Sequence, residues 1–315
     1  DMALVSDFLK KTGRPPVELS GGEKRPFRIK LVSTEDGWQD PLKHLEFSGA
    51  LHVNSVTAYG LKLTPNDVPI RVANAAGDAA LNSPANGGQL SLQPIITMGK
   101  EPYVLSFTKN SDILKDVQVT QGLIDGLLAN IHPLFKNAVI PDGIIDLHMK
   151  NFSLPLSEKG INSASFAGTL GLNGIKLNST PFLSGLLSMM KINERELLLN
   201  DQSIDFTAKN GRVECSQITI DAGGYPLTMQ GSIGFDKTLD FIAGVPVTKQ
   251  MVGKDAYQYL QGTTIKVPIS GTVSKPKVDQ TAFQSATGDL MQQALQKNVQ
   301  KGVEGLLQNL LKKNK

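Results

Sequence analysis

The sequence predicts a mainly β protein with a few helices: two repeats of a curled antiparallel β-meander forming a half-pipe or trough, short helices covering it, and a C-terminal amphipathic helix. Three observations carry this expectation. Apolar residues alternate with polar ones at the period of a half-buried strand, as in Ile265, Val267 and Ile269 of "TTIKVPISGTV". Between such runs stand short Gly, Asp and Pro clusters, "DAGGYP" and "DKT" among them, which make tight connections and therefore antiparallel neighbours. Finally, the chain echoes itself at an offset of about 120 residues, the mark of a repeated unit.

The echo sets the organisation. "FSGALHVNSVTAYGLKL" corresponds to "FAGTLGLNGIKL", and "NGGQLSLQPIITMGKEPYVLSF" to "NGRVECSQITIDAGGYPLTMQGSI". "VQVTQGLIDGLL" corresponds to "VPVTKQMVGKDAYQYL", each a short strand followed by Thr120 or Thr248 as a helix N-cap. The expected divisions are 1–44 (an N-terminal helix or strand and linker, with "GRPPVELSGGEKRP" as linker or edge loop), 45–163 (first unit), 164–280 (second unit) and 281–315 (tail). In the second unit Ile218 and Ile220, Leu227 and Met229, Ile233 and Phe235, Leu239 and Phe241, and Val245 and Val247 mark successive strands. Pro268 lacks the N–H that a central strand uses, so it belongs at an edge, a bulge or a strand end. Glycines within strands, such as Gly168, Gly231 and Gly271, favour bends and a strong curl.

Helices interrupt both units. Ser179 or Thr180 caps a helix with Pro181 at its first position and Phe182, Leu186, Leu187 and Met190 on one face. Leu123, Leu127, Leu128, Ile131 and Phe135 form a broad apolar stripe, and Gly262 stands where a helix ends. Such helices either complete the core of the curled sheet or plug an open trough. In the tail, Phe283, Ala286, Leu290 and Ala294 share one helical face, while Val299, Val303, Leu306 and Leu310 share another. A helix pair or one helix bent near Lys297–Gly302 reconciles the two faces. Lys297 and Lys301 lie opposite the second stripe, which fits a membrane-interface helix or a basic solvated face on a docked one.

Chemistry that enzymes use is not evident. The 315 residues carry a net charge of +3 with scattered lysines, so no nucleic-acid footprint arises. The one cysteine, Cys215, excludes an internal disulfide and reads as a packed thiol. His44, His52, His132 and His148 lack metal-ligand spacing, and no phosphate loop or nucleophile elbow occurs. Asp142, Asp146, Asp221, Asp236 and Asp240 sit at turns or strand ends, where turn chemistry accounts for them. The expectation is a non-enzyme with no cofactor and no metal. "NFS" and "NST" fit the glycosylation pattern, which matters only in a eukaryotic secretory setting. No apolar run approaches 18 residues. Because the chain opens amid what reads as structure, it is expected to be part of a longer protein, with any membrane anchor outside it.

The run "NGRVECSQITIDAGGYPLTMQGSIGFDKTLDFIAGVPVT", a helix, and "GTTIKVPISGTVSKPKVD" together resemble the AsmA-like C-terminal region of bacterial envelope proteins. The matching positions are Gly211, Gly231, Asp236, Leu239, Asp240, Gly262, Pro268, Gly271, Thr272, Pro276 and Asp279. The resemblance implies a periplasmic protein of the cell envelope, anchored to the inner membrane by a segment outside this chain and related to bridge-like lipid-transfer proteins, with no catalytic residues to carry over. On that basis the expected activity is binding or transfer of phospholipid or another acyl lipid in outer-membrane biogenesis. The groove candidates are Ile218, Ile220, Leu227, Met229, Ile233, Phe235, Leu239 and Phe241; the membrane-interface candidates are Val299, Val303, Leu306, Leu310, Lys297 and Lys301. The competing expectation is a non-catalytic structural or interaction module whose surface binds an envelope or outer-membrane protein.

Overall fold

Alternation of apolar and polar residues produces a single sheet in which every strand pairs antiparallel with its neighbour in sequence. The computed structural model describes residues 18–31, 41–157 and 160–313; from residue 298 onward, and at residues 18, 19, 130 and 137, it describes the backbone but not the burial of the side chain. The described strand segments group into fourteen rungs, several broken in the middle by a bend. Leu45–Val53 and Ser55–Ala58, for example, form one rung: the first half pairs with Phe27–Leu31 and Asn66–Ala73, the second with Glu18–Ser20 and Leu61–Leu63. The long strand Ile144–Leu156 serves likewise as partner to both Ser111–Gln118 and Tyr103–Phe107. Its other side pairs with Ser165–Asn173, with a bulge between Met149 and Asn151 opposite Gly168. The expected unit boundary at 163/164 therefore falls between two paired rungs, and both units belong to one sheet. The first rung comes from the 1–44 division: Glu18–Ser20 lies within the stretch expected as linker or edge loop, and Phe27–Leu31 follows it.

The sheet curls without closing into a barrel. Phe166 and Phe235 stand three rungs apart, which in a flat sheet is roughly 14 Å. Their rings nevertheless stack at 6.4 Å. Among the described residues the end strand Lys275–Val278 pairs with Thr264–Thr272 alone. Pro268 lies in the middle of Thr264–Thr272 but at a local edge: Ile242 is its register partner on one side, and on the other, where Lys275–Val278 has ended, Asp279 N donates to its carbonyl at 3.0 Å.

Helices fill the concave side of the second half. Thr120, Thr180 and Thr248 are N-caps as expected, each hydroxyl accepting a backbone N–H three residues on, at 3.3, 3.3 and 3.2 Å. Gln121–Gly126, Leu128–Asn130 and Phe135–Ala138 form a helical insert; Pro181–Met189 and the pair Lys249–Val252 and Lys254–Leu260 complete the cover. The insert sits deep in the curl. Cys215 donates its thiol to Ile131 O at 3.0 Å, and the His132 ring meets Phe241 edge-on at 4.9 Å. The tail is one uninterrupted helix, Gln280–Lys313, so the expected helix pair does not form. Ala294 is buried, and Phe283, Ala286 and Leu290 pack on the core from the same face, which docks the first half of this helix. No described helix is long and apolar enough to cross a membrane.

Candidate functional site: an uncovered apolar strip

The expected groove residues are inside the molecule. Ile218, Ile220, Leu227 and Met229 are 0% exposed, and Ile233, Leu239 and Phe241 are also buried. Their position on the concave face agrees with the sequence reading, but the helical insert and its companions occupy the space an acyl chain would need. As an open groove, this set is corrected: apolar side chains on helices already supply the partner. Phe235 differs, being half-buried in the turn after Tyr225–Gly234 and stacked on Phe166. Of the tail candidates, Lys297 is exposed; the side chains of Val299, Lys301, Val303, Leu306 and Leu310 lie outside the described residues.

The concave face continues beyond the helices. Tracing register partners from the buried face identifies which side chains share it, because directly opposed residues of antiparallel strands point the same way. Phe206 opposes Gly168, and Ala208 opposes Phe166; Phe166 in turn opposes Phe152. Leu154 and Leu156 face Leu105 and Tyr103, and Leu105 faces Ile96. Ile96 opposes Gly77, Gly77 opposes Val72, Val72 opposes Phe47, and Phe47 opposes Ile29. One apolar line thus crosses eight successive rungs, from the edge strand to the rim of the filled core.

This part of the face is open among the described residues. Phe27, Ile29, Leu31 and Leu51 are 67, 55, 61 and 47% exposed. Val68, Ile70, Val72, Leu105, Phe107, Phe152 and Leu154 are half-buried, although they belong to strands paired on both sides. Aromatic rings reinforce the line: Phe27 stacks on Phe47 at 6.2 Å, Phe107 on Phe152 at 4.2 Å, and Phe152 on Phe166 at 5.9 Å. Isolated exposed apolar residues are ordinary, but a contiguous strip of them marks a binding surface. At the standard spacing between strands it runs on the order of 35 Å.

The convex face of the same rungs is mostly polar, with Ile95 and Val104 set among residues such as Arg28, Lys30, Arg71 and Asp78. Arg25 bridges Asp67 and Glu23, each at 2.8 Å, and the His52 Nδ1 lies 2.8 Å from Asp67. The hydrogen bond from His52, with the Arg25 guanidinium, holds the Asp67 carboxyl below the ordinary carboxylate range. Lys150 and Thr169 do the same for Asp205, the Thr169 hydroxyl donating at 2.6 Å and the Lys150 ammonium at 2.9 Å. These contacts pin rungs together at the surface and leave the concave side apolar. Among the described residues, no three His, Cys, Asp or Glu side chains converge as metal ligands. Cys215 is a buried thiol whose pKa burial pushes up to about 12.

Sequence reasoning missed the strip because it placed the site in the second unit, where the alternation is most regular. The signal was present in "FRIKL", a full period-two run within residues 1–44, which were set apart from both units. Comparison with family models, curated proteins and solved structures finds no match for this chain.

Proposed function

We propose that the uncovered strip binds the acyl chains of lipids, and that the chain is a lipid-binding or lipid-transfer segment of the cell envelope, as its resemblance to AsmA-like proteins suggests. The observation that carries this reading is the continuous, half-exposed apolar line from Phe27 to Phe166 on the concave side of a sheet whose convex side is charged. An acyl tail laid along it gains about 0.8 kcal/mol per CH₂ removed from water. A single tail spans about half of a roughly 30 Å hydrocarbon core, so the strip is long enough to hold one throughout its length. A shallow trough of this kind leaves headgroups in water and holds lipids weakly enough for onward movement.

Native mass spectrometry of protein purified from cells, with uptake of a fluorescent fatty acid, tests the reading. Bound acyl lipid is expected, and the double variant I70D/L105D is expected to lose it while keeping the wild-type circular dichroism spectrum. Absence of lipid and of fatty-acid uptake in the wild type overturns the reading. The helix-filled second half favours a structural role for that part, so the alternative is an interaction module whose strip meets a protein partner. In that case the I70D/L105D change abolishes protein binding and leaves lipid content unaltered.

A further inference from the structure

The two edges of the sheet are built differently. At the C-terminal edge Lys275–Val278 is four residues long and carries Pro276 between Lys275 and Lys277. Val278 packs on the core, and Met189 of the Pro181–Met189 helix lines a cleft shared with Pro276 and Val278. Proline, lysines and a nearby helix are the devices that stop a sheet from growing. The N-terminal edge strand Phe27–Leu31 carries no proline, and no described residue covers it. Phe27–Leu31 pairs with Leu45–Gly49 on one side, and among the described residues no strand pairs with its other side. Every residue of this strand is exposed.

Its side chains specify what could pair there. Phe27, Ile29 and Leu31 continue the apolar concave line, while Arg28 and Lys30 point to the convex side. Lys30 reaches Glu46 at 3.5 Å across a well-exposed surface, a contact worth little. Arg28 has no ion pair among the described residues. Pairing with the same strand of a second copy is disfavoured. Any register that sets apolar residues against apolar ones sets Arg28 and Lys30 against Arg28 or Lys30, and like charges directly opposite each other destabilise a ladder.

We propose that this edge accepts an extended strand from a different protein, one in which apolar residues alternate with acidic ones. Backbone hydrogen bonds from the free side of Phe27–Leu31 supply the pairing. The partner's carboxylates meet Arg28 and Lys30 on the convex face, and its apolar residues cover Phe27, Ile29 and Leu31. Sheet and apolar strip are thereby lengthened together. The pairing stands whether or not the strip carries lipid.

The test uses the full chain and a fluorescently labelled peptide in which Val and Ile alternate with Glu, with binding followed by anisotropy. Saturable binding is expected. A peptide with Lys in place of Glu should bind about tenfold more weakly, as two opposed charge pairs imply. The R28E/K30E variant, which alters only exposed side chains, should reverse that preference. N-methylation of alternate peptide amides should abolish binding, since it blocks strand pairing and leaves charge intact. Equal affinity for both peptides, no binding of the acidic one, or full binding of the methylated one overturns the proposal. So does a dimer in sedimentation that persists in R28E/K30E.

Discussion

His132 is the one described side chain in the core whose polar atom finds nothing to bond. It is fully buried; its Nδ1 accepts from Leu134 N at 3.3 Å, while Nε2 has no partner. Burial lowers its pKa to about 3, so the folded protein holds it neutral. The unfolded chain takes up a proton below about pH 6.5, where the native state does not. Stability is therefore fully present above that value and falls as pH drops toward 3, by at most about 1.4 kcal/mol per unit from this group. Urea unfolding from pH 7 to 4.5 should show a clear loss in the wild type and a shallower one in His132→Leu. Carboxylates held low, such as Asp142 beside Lys176 and Asp205 beside Thr169, lose their contribution only below the ordinary carboxylate range, outside that window. Identical slopes in wild type and variant would mean that the imidazole is hydrated after all. From the sequence, His132 showed only that it lacks metal-ligand spacing to the other histidines. Its burial against Phe241 could not be read, because the contact joins residues far apart in the chain.

At the scale of elements, the helical insert is held by backbone approaching backbone. Gly60, in the turn between Ser55–Ala58 and Leu61–Leu63, has φ +79° and lies so close to Gly122 that a Cβ would overlap the Gly122 carbonyl carbon. Asn86 donates from its side chain to Gly60 O at 3.0 Å and ties the same turn to the next hairpin. Gly60→Ala adds both the positive-φ strain and the overlap. A loss of about 1–3 kcal/mol is expected, read as a lowered denaturation midpoint. A neutral effect would show that the turn and the helix start can separate freely. Local elements were the most legible part of the chain. The threonine caps, Pro181, Gly262 and the alternation of Ile265, Val267 and Ile269 were all readable, because each depends on neighbours within a few residues. What the helices cover was not readable: Leu123, Ile124 and Leu128 show only that an apolar stripe needs a partner. The tail shows the same limit. Its two offset stripes suggested a break, yet backbone hydrogen bonding continues through Gly302.

Across the whole molecule, support is unequal. Core residues gather from Leu61 onward, beneath the helices, while among the described strands Phe27–Leu31 pairs with Leu45–Val53 alone and faces the open strip. Since each rung bonds only to those beside it, stability is expected to fall off rung by rung toward the N-terminal edge. Hydrogen exchange should be fastest at Phe27–Leu31, intermediate at Asn66–Ala73, and slowest at Tyr225–Gly234 and Leu239–Pro246. Uniform protection would instead indicate a single all-or-none unit. The serial pairing has one more consequence. Among the described residues no rung pairs out of sequence order, so a hairpin added at an edge would need only to match the pleat before it. A polypeptide of this design can grow longer by duplication without redrawing its wiring, much as a ladder is extended by bolting on further steps.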